Sequence, residues 1–379
     1  MINKREIMKI IDSYNVKEIS IGSIGSHSAL DISSGALKQG FRSVVVCQKG
    51  REKTYVKYFR RKMVFGEATG CIDKVILVEK FRDMLNEEIQ GMLRSLNTVF
   101  IPSRSFMVYV GYDGIENTFR IPLFGNRYLL RAEERYVKRN QYYLLDKADI
   151  RRPLEFKSYR DIDRVVLVKV SEAERKYERA FFFASSPEEF EEISSMLIKE
   201  GKIDEEALEK ATIEEFIIGA QFNFNFFYSP LSEELELMGI DTRRQTNLEG
   251  FIRLPAEWQL KLSNKVEVKF IESGHIACTL RESLLERVFE YGERLVETVR
   301  KEYPPGIIGP FALQGVVVPG PPREDIVVFD VSFRVPGSPG TPYTPYSFYK
   351  WGRNISVGER IAMEIRYGIK EKMLEELVT

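Results

Sequence analysis

Apolar and polar positions along the chain follow two periods, one near 3.6 residues and one of strict alternation or short continuous apolar runs. Residues 4–14 form an amphipathic helical stretch. An apolar run starting near Glu18 predicts a strand that enters Gly22-Ser23-Ile24-Gly25-Ser26-His27-Ser28. Ala29–Lys38 reads as the next helix, closed by Gly40. Short β-branched runs at 43–47, Lys74–Val78 and 98–101 read as parallel strands, with a helix over 86–96. This alternation predicts an α/β protein whose N-terminal part is a doubly wound parallel sheet. Residues 121–126 read as its final strand, Arg127 and Arg131 as the start of a basic helix, and 133–147 as one further helix.

Beyond residue 150 the pattern turns to hairpins. The stretch 165–186, VVLVKVSEAERKYERAFFFASS, has apolar arms at 165–170 and 180–184 around a tip carrying Glu172, Glu174, Arg175, Lys176, Glu178 and Arg179. A helix over 187–200 follows, then a strand at 213–218 and a break at Gly219. An alternating strand at 222–228 puts Asn223 and Asn225 on one face. One more strand leads into a polar loop holding Arg243, Arg244, Asn247 and Arg253. A helix over 283–303 and two antiparallel strands about a Pro/Gly turn complete the series, with no internal repeat.

Composition narrows the partners. The 56 basic and 56 acidic residues of the 379 balance, so bulk charge supports neither a nucleic-acid nor a membrane-surface partner. No apolar run reaches membrane-spanning length, and the expectation is a soluble cytoplasmic protein. Cys47, Cys71 and Cys278 show no metal-ligand spacing, and Cys47 reads as a buried free thiol.

Three features carry candidate chemistry. Lys169 interrupts the first hairpin arm. Burying an ammonium is costly without a compensating anion, so either Lys169 lies on a solvated face or it marks an anion site. The small residues at 22–28 suit a tight strand-to-helix turn, or an anion held on backbone N–H groups with Ser26, His27 and Ser28 beside it. Gln314 and Asp330 lie near the ends of paired strands, where an amide and a carboxylate oxygen on one face bind Mg²⁺ together, unless the pairing is coincidental.

The order of a hairpin lysine, an acidic strand end at Glu214 and Glu215, and metal-binding oxygens on a later hairpin is similar to the ATP-grasp arrangement. More specifically, GSHSAL at 25–30, FGNR at 124–127, FFYSP at 226–230, RLPA at 253–256, RESLL at 281–285, IGPFALQG at 308–315 and PYSF at 345–348 together resemble the archaeal formate-dependent FAICAR synthetases, the PurP family. The resemblance implies an N-terminal α/β domain over 1–130, a first ATP-grasp lobe with a hairpin lid over 131–220, and a second lobe with C-terminal helices over 221–379. It implies the reaction ATP + formate + AICAR → FAICAR + ADP + phosphate, through formyl phosphate, in IMP biosynthesis. It also implies a homo-oligomer, trimer or hexamer.

By the same resemblance Lys169 meets the ATP phosphates, and Glu214, Glu215 and Ile217 form the adenine-side hinge. His27, Ser28, Ser105, Arg127 and Asn247 face AICAR. Arg253, Arg281 and Arg334 grip formate, phosphate or the transition state, and Gln314 and Asp330 hold Mg²⁺ or Mn²⁺. The chain departs from the family pattern in places. Its hairpin tip has no glycines, Tyr142 or Tyr143 stands where a lysine is expected, Asp330 replaces a glutamate, and Asn225 and Gln245 replace a histidine and an acid. Beyond Asp330, VPGSPGTP replaces a small-residue loop. These departures leave an alternative expectation open, a paralogue that binds a purine ribonucleotide without turning over ATP.

Overall fold

The computed structural model describes residues 1–170, 181–266, 268–320 and 323–379. Among them the strands, in chain order, are β1 (Ser20–Ile24), β2 (Arg42–Gln48), the short pair β3 (Lys62–Val64) and β4 (Glu67–Thr69), β5 (Lys74–Val78), β6 (Thr98–Phe100), β7 (Glu155–Phe156), β8 (Val166–Lys169), β9 (Phe181–Ala184), β10 (Thr212–Glu215), β11 (Ala220–Ser229), β12 (Glu234–Thr246), β13 (Phe270–Cys278), β14 (Gly309–Val318) and β15 (Asp325–Ser332).

The first sheet is wholly parallel, in the order β5-β2-β1-β6. Val44, Val45, Val46 and Cys47 are all buried, as a sheet covered on both faces requires. The helix Ala29–Lys38 crosses from β1 to β2 and packs on the helix Val357–Lys370. The two backbones nearly touch: a Cβ on Gly35 would lie 2.2 Å from Glu359 N, and one on Gly358 2.3 Å from Asp31 O. Any larger residue at either position forces the helices apart.

Two expectations for this region need correction. Residues 121–126 make only single bridges, Phe100 with Leu123 and Phe124 with Val378. Pro122 has no N–H to offer a ladder, although its carbonyl accepts from Phe100 N at 2.8 Å. The helix expected over 133–147 forms only over Gln141–Lys147, because Asn140 caps it, its Oδ1 accepting from the N–H groups of Tyr142 and Tyr143 at 3.0 Å each.

The second sheet is antiparallel, β7-β10-β8-β9. The hairpin arms pair from Val166 with Ala184 to Lys169 with Phe181. The charged tip expected between them lies outside the described residues. The helix Pro187–Lys199 covers one face, with Phe190 stacked on Tyr159 and tilted against Phe182.

The third sheet has five antiparallel strands, β13-β12-β11-β14-β15. Its strand β13 is one that the sequence pattern does not predict. The long helix Glu282–Glu302 lays Val288, Tyr291, Leu295 and Val299 against Phe224, Phe226, Phe311, Leu313 and Val328. The opposite face is apolar at Phe227 and Met238, which pack with the parallel-sheet residues, and carries a row of mostly polar residues beyond them. There Ala277, Asp241, Asn223, Gln314 and Asp330 stand in register across the five strands.

Asp330 joins that row through a β-bulge. Pairing steps from Gln314–Asp330 to Gly315–Val328, leaving Phe329 as the extra residue. In an unbroken strand Val328 and Asp330 would share a face. The bulge keeps Val328 in the core and turns Asp330 onto the polar side. No helix among the described residues is long and apolar enough to cross a membrane.

Candidate active site

One end of the polar row is a chain of buried charges. Lys169 closes β8, and its ammonium pairs with the carboxylate of Glu214 on the neighbouring strand; both side chains are nearly sealed from solvent. Tyr142 bridges them to the third sheet: its hydroxyl donates to Glu214 Oε2 at 2.7 Å and accepts from Arg135 Nε at 2.9 Å and Lys169 Nζ at 3.3 Å. Arg135 Nη2 then reaches Asp330 Oδ1 at 3.0 Å, and Gln314 Nε2 donates to Asp330 Oδ2 at 3.0 Å. Burial pushes the Lys169 ammonium below the usual lysine range, and Arg135 beside it pushes the same way. Burial alone would raise the Asp330 carboxyl, but Arg135, Lys169 and Arg243 outweigh it and hold the group below the ordinary range. Asp330 is thus an anion set among cations, with 28 % of its side chain open to solvent.

Glu133 backs this cluster. Burial raises its carboxyl despite Arg334 and Arg104, and it accepts from Phe333 N at 2.8 Å. Arg334 Nε lies 3.4 Å from it.

The other end of the row meets the carboxyl edge of the parallel sheet. Ser28 takes a left-handed backbone conformation and donates its hydroxyl to Pro336 O at 3.2 Å, while Ser26 and Ser105 share a hydroxyl–hydroxyl bond of 2.7 Å. His27 is exposed, against Gly337 on one side and the ring of His275 on the other, 6.2 Å between centroids at 86°. His275 Nδ1 lies 2.5 Å from Asp241 Oδ2. Asp241 is fully buried and also accepts from Asn223 Nδ2 at 2.7 Å and Asn225 Nδ2 at 2.6 Å. Burial would raise its carboxyl; the bonds from His275, Asn223 and Asn225 more than reverse that and hold it low.

The structure therefore brings together Lys169, Glu214, Gln314 and Asp330, and separately His27, Ser28 and Ser105, with Arg334 between on Glu133. Other sequence candidates fall elsewhere. Arg127 is fully buried and donates to the carbonyls of Ile115, Phe119, Ile121 and Thr379 at 2.7–2.9 Å, so it ties loops together and does not face a ligand. Arg281 pairs with Glu324 beside the β14–β15 turn. That position is about five strand residues from Asp330, on the order of 17 Å. Arg253 is exposed in the loop after β12, and Asn247 accepts from Lys269 N at 2.9 Å there. Glu215 points away from Lys169, 3.4 Å from Arg164, and Ile217 is half-buried in the link between β10 and β11.

Arg135, Glu133, Asp241 and His275 join the site without having been singled out. Asp241 carried only a local signal: it follows the core residue Ile240 and pairs with Asn223, on the face that Asn223 and Asn225 already marked as polar.

Two family models match the chain, a domain of unknown function, DUF1297, over residues 189–379 and a protein of unknown function, DUF1246, over 21–156. A relative from Methanopyrus kandleri, named 5-formaminoimidazole-4-carboxamide-1-(beta)-D-ribofuranosyl 5'-monophosphate synthetase, is 42 % identical over 382 residues and covers 100 % of both chains. The crystal structure of an IMP biosynthesis protein PurP from Thermococcus kodakaraensis matches with a TM-score of 0.69 at 28 % identity, over 95 % of this chain and 100 % of that one. The ADP complex of PurK, an N5-carboxyaminoimidazole ribonucleotide synthetase, is 10 % identical and shares the fold at a TM-score of 0.56, over 85 % of this chain and 71 % of its own. The fold is thus ATP-grasp, and with 42 % identity over its full length to a named synthetase the chain belongs to the FAICAR synthetase (PurP) family.

Proposed function

We infer that the protein is an ATP-dependent ligase that formylates AICAR with formate, releasing ADP and phosphate, as a step of IMP biosynthesis. The observation that carries this reading is the polar row of the third sheet. It joins a cation-rich, carboxylate-bearing end at Lys169, Arg135, Gln314 and Asp330 to the His27–Ser28–Ser105 edge of the parallel sheet. A triphosphate needs the first end, and a ribonucleotide acceptor fits the second.

Lys169 and Arg135 would spread the charge of the transferring phosphoryl group, and Arg334, held on Glu133, would contact formate or phosphate. Gln314 and Asp330 suit Mg²⁺ or Mn²⁺, one carboxylate and one amide being the protein's share for a cation that also binds phosphate oxygens. Such a cation supplies Lewis-acid neutralisation of the phosphates. Gln314, which here turns its Nε2 to Asp330, would have to rotate to present Oε1. We assign residues 1–130, 131–220 and 221–379 to the N-terminal domain and the two ATP-grasp lobes, in a cytoplasmic homo-oligomer.

Incubation with ATP, Mg²⁺, formate and AICAR, with FAICAR and ADP separated by chromatography, tests the reading. Equimolar FAICAR and ADP are expected. ADP release that ignores formate, or AICAR binding without any ADP release, rejects it, the latter in favour of a ribonucleotide-binding module.

A further inference from the structure

The chain has two histidines among 379 residues, and their rings meet edge to face, His27 on the turn after β1 and His275 on β13. We propose that His275, oriented by Asp241, is the general base that takes the proton from the acceptor's amine during formyl transfer. This rests on the formylation reading above.

The geometry is that of a histidine–carboxylate dyad. A ring whose Nδ1 is engaged by a buried carboxylate carries its acid–base function at Nε2, and the carboxylate stabilises the imidazolium that forms. Asp241 is positioned for that work, because Asn223 and Asn225 fix both of its oxygens while His275 approaches one of them. A link between β12 and β13 alone would not need an ionised group, since an amide joins strands without the cost of burying charge.

Placement adds the second argument. Asp241, Asn223, Gln314 and Asp330 are register neighbours on four successive strands, so the dyad stands three strand spacings from Asp330, roughly 14 Å. That span accommodates a phosphoryl group, its formyl carbon and a ring-sized acceptor between the two ends. Among the described residues, the groups facing His275 include Asp241, its register partner Arg243 and, edge to face, the ring of His27.

The step balances without another reactant. The amine nitrogen bonds to the formyl carbon, the carbon–oxygen bond to phosphate breaks, and its electron pair leaves on the phosphate. The amine proton passes to His275 Nε2 and then to the released phosphate.

The test is H275N, whose side-chain amide can still donate to Asp241, with D241N as a second variant. Two rates are compared: FAICAR formation, and formate-dependent positional isotope exchange in ¹⁸O-labelled ATP, which reports reversible formyl phosphate formation without acceptor. FAICAR formation should fall by about 10²–10⁴ in H275N and exchange should stay within threefold of wild type, with partial rescue of formylation by imidazole. Formylation within threefold of wild type, or equal loss of both rates, overturns the proposal alone. A wild-type protein that makes no FAICAR overturns the functional reading and this proposal with it.

Discussion

Replacing Lys169 by methionine isolates what the buried ion pair does. Methionine keeps most of the side-chain volume, so the packing of β8 survives and the charge does not. The loss leaves the Glu214 carboxylate, itself nearly sealed, with the Tyr142 hydroxyl as its one hydrogen-bond donor among the described residues. Breaking a buried pair by removing one partner costs about 3–5 kcal/mol, whereas removing both charges is close to neutral. K169M should therefore lower the local opening free energy of β8 and β10 by about 3–5 kcal/mol. K169M/E214Q should recover to within about 1–2 kcal/mol, since glutamine still accepts from Tyr142. Amide hydrogen exchange on these strands is the appropriate assay, because a chain of several lobes need not unfold in one step. A K169M deficit under about 1 kcal/mol, or a double variant no better than the single, refutes the claim that this pair is buried and mutually dependent.

Three shorter expectations follow. Arg127→Met strips donors from four backbone carbonyls, each worth about 1–3 kcal/mol when left unpaired, so it should abolish soluble folding. A stable R127M protein with a raised KM for AICAR would instead return Arg127 to the substrate site. Arg281→Ala should leave kcat/KM within threefold, because its partner is Glu324 beside the turn; a drop of a hundredfold would put it in the reaction. Asp330→Asn should remove divalent-cation stimulation of ADP release and cost at least about tenfold in kcat, and an unchanged Mg²⁺ titration would exclude Asp330 as a ligand.

The fold was legible where local pattern and tertiary environment agree. The parallel strand around Cys47 is buried on both faces, so its composition alone declares it; the edge strand Lys74–Val78 buries Ile76 and Val78 and leaves Leu77 exposed, and there the β-branched run carries the signal. The helix Ala29–Lys38 has its closing Gly40 in the sequence, and the structure keeps the same bounds. The site was legible only in part. Lys169 could be flagged because a charge in an apolar arm contradicts its surroundings, yet its partner Glu214 sat in a segment whose face no periodicity fixed. Arg127 was misread for the opposite reason: an arginine after a turn usually meets solvent, and only the converging carbonyls of four separate residues make a buried one stable. Glu133 and Arg135 were assigned to a helix because nothing before the fold reveals that Asn140 starts it late.

Asp330 and Asp241 share one physical feature, a change of face that the sequence shows as continuity. From Ile326 to Phe333 the core positions are 326, 328, 331 and 333, so the two-residue period slips once, at Phe329. That slip is the bulge, and it puts Asp330 beside Gln314 instead of under the long helix. The pairing of β11 with β12 slips likewise between Asn225 and Phe226. It lets Leu237 and Ile240, three residues apart, both reach the core while Asp241 stays on the polar side with Asn223. Without these two slips the acidic residues would be driven into the apolar layer, where an unpaired carboxylate is not tolerated. The row from Asp330 to Asp241 therefore exists because two strands give up regular pairing, and the chemistry assigned to its two ends depends on those irregularities as much as on the residues themselves.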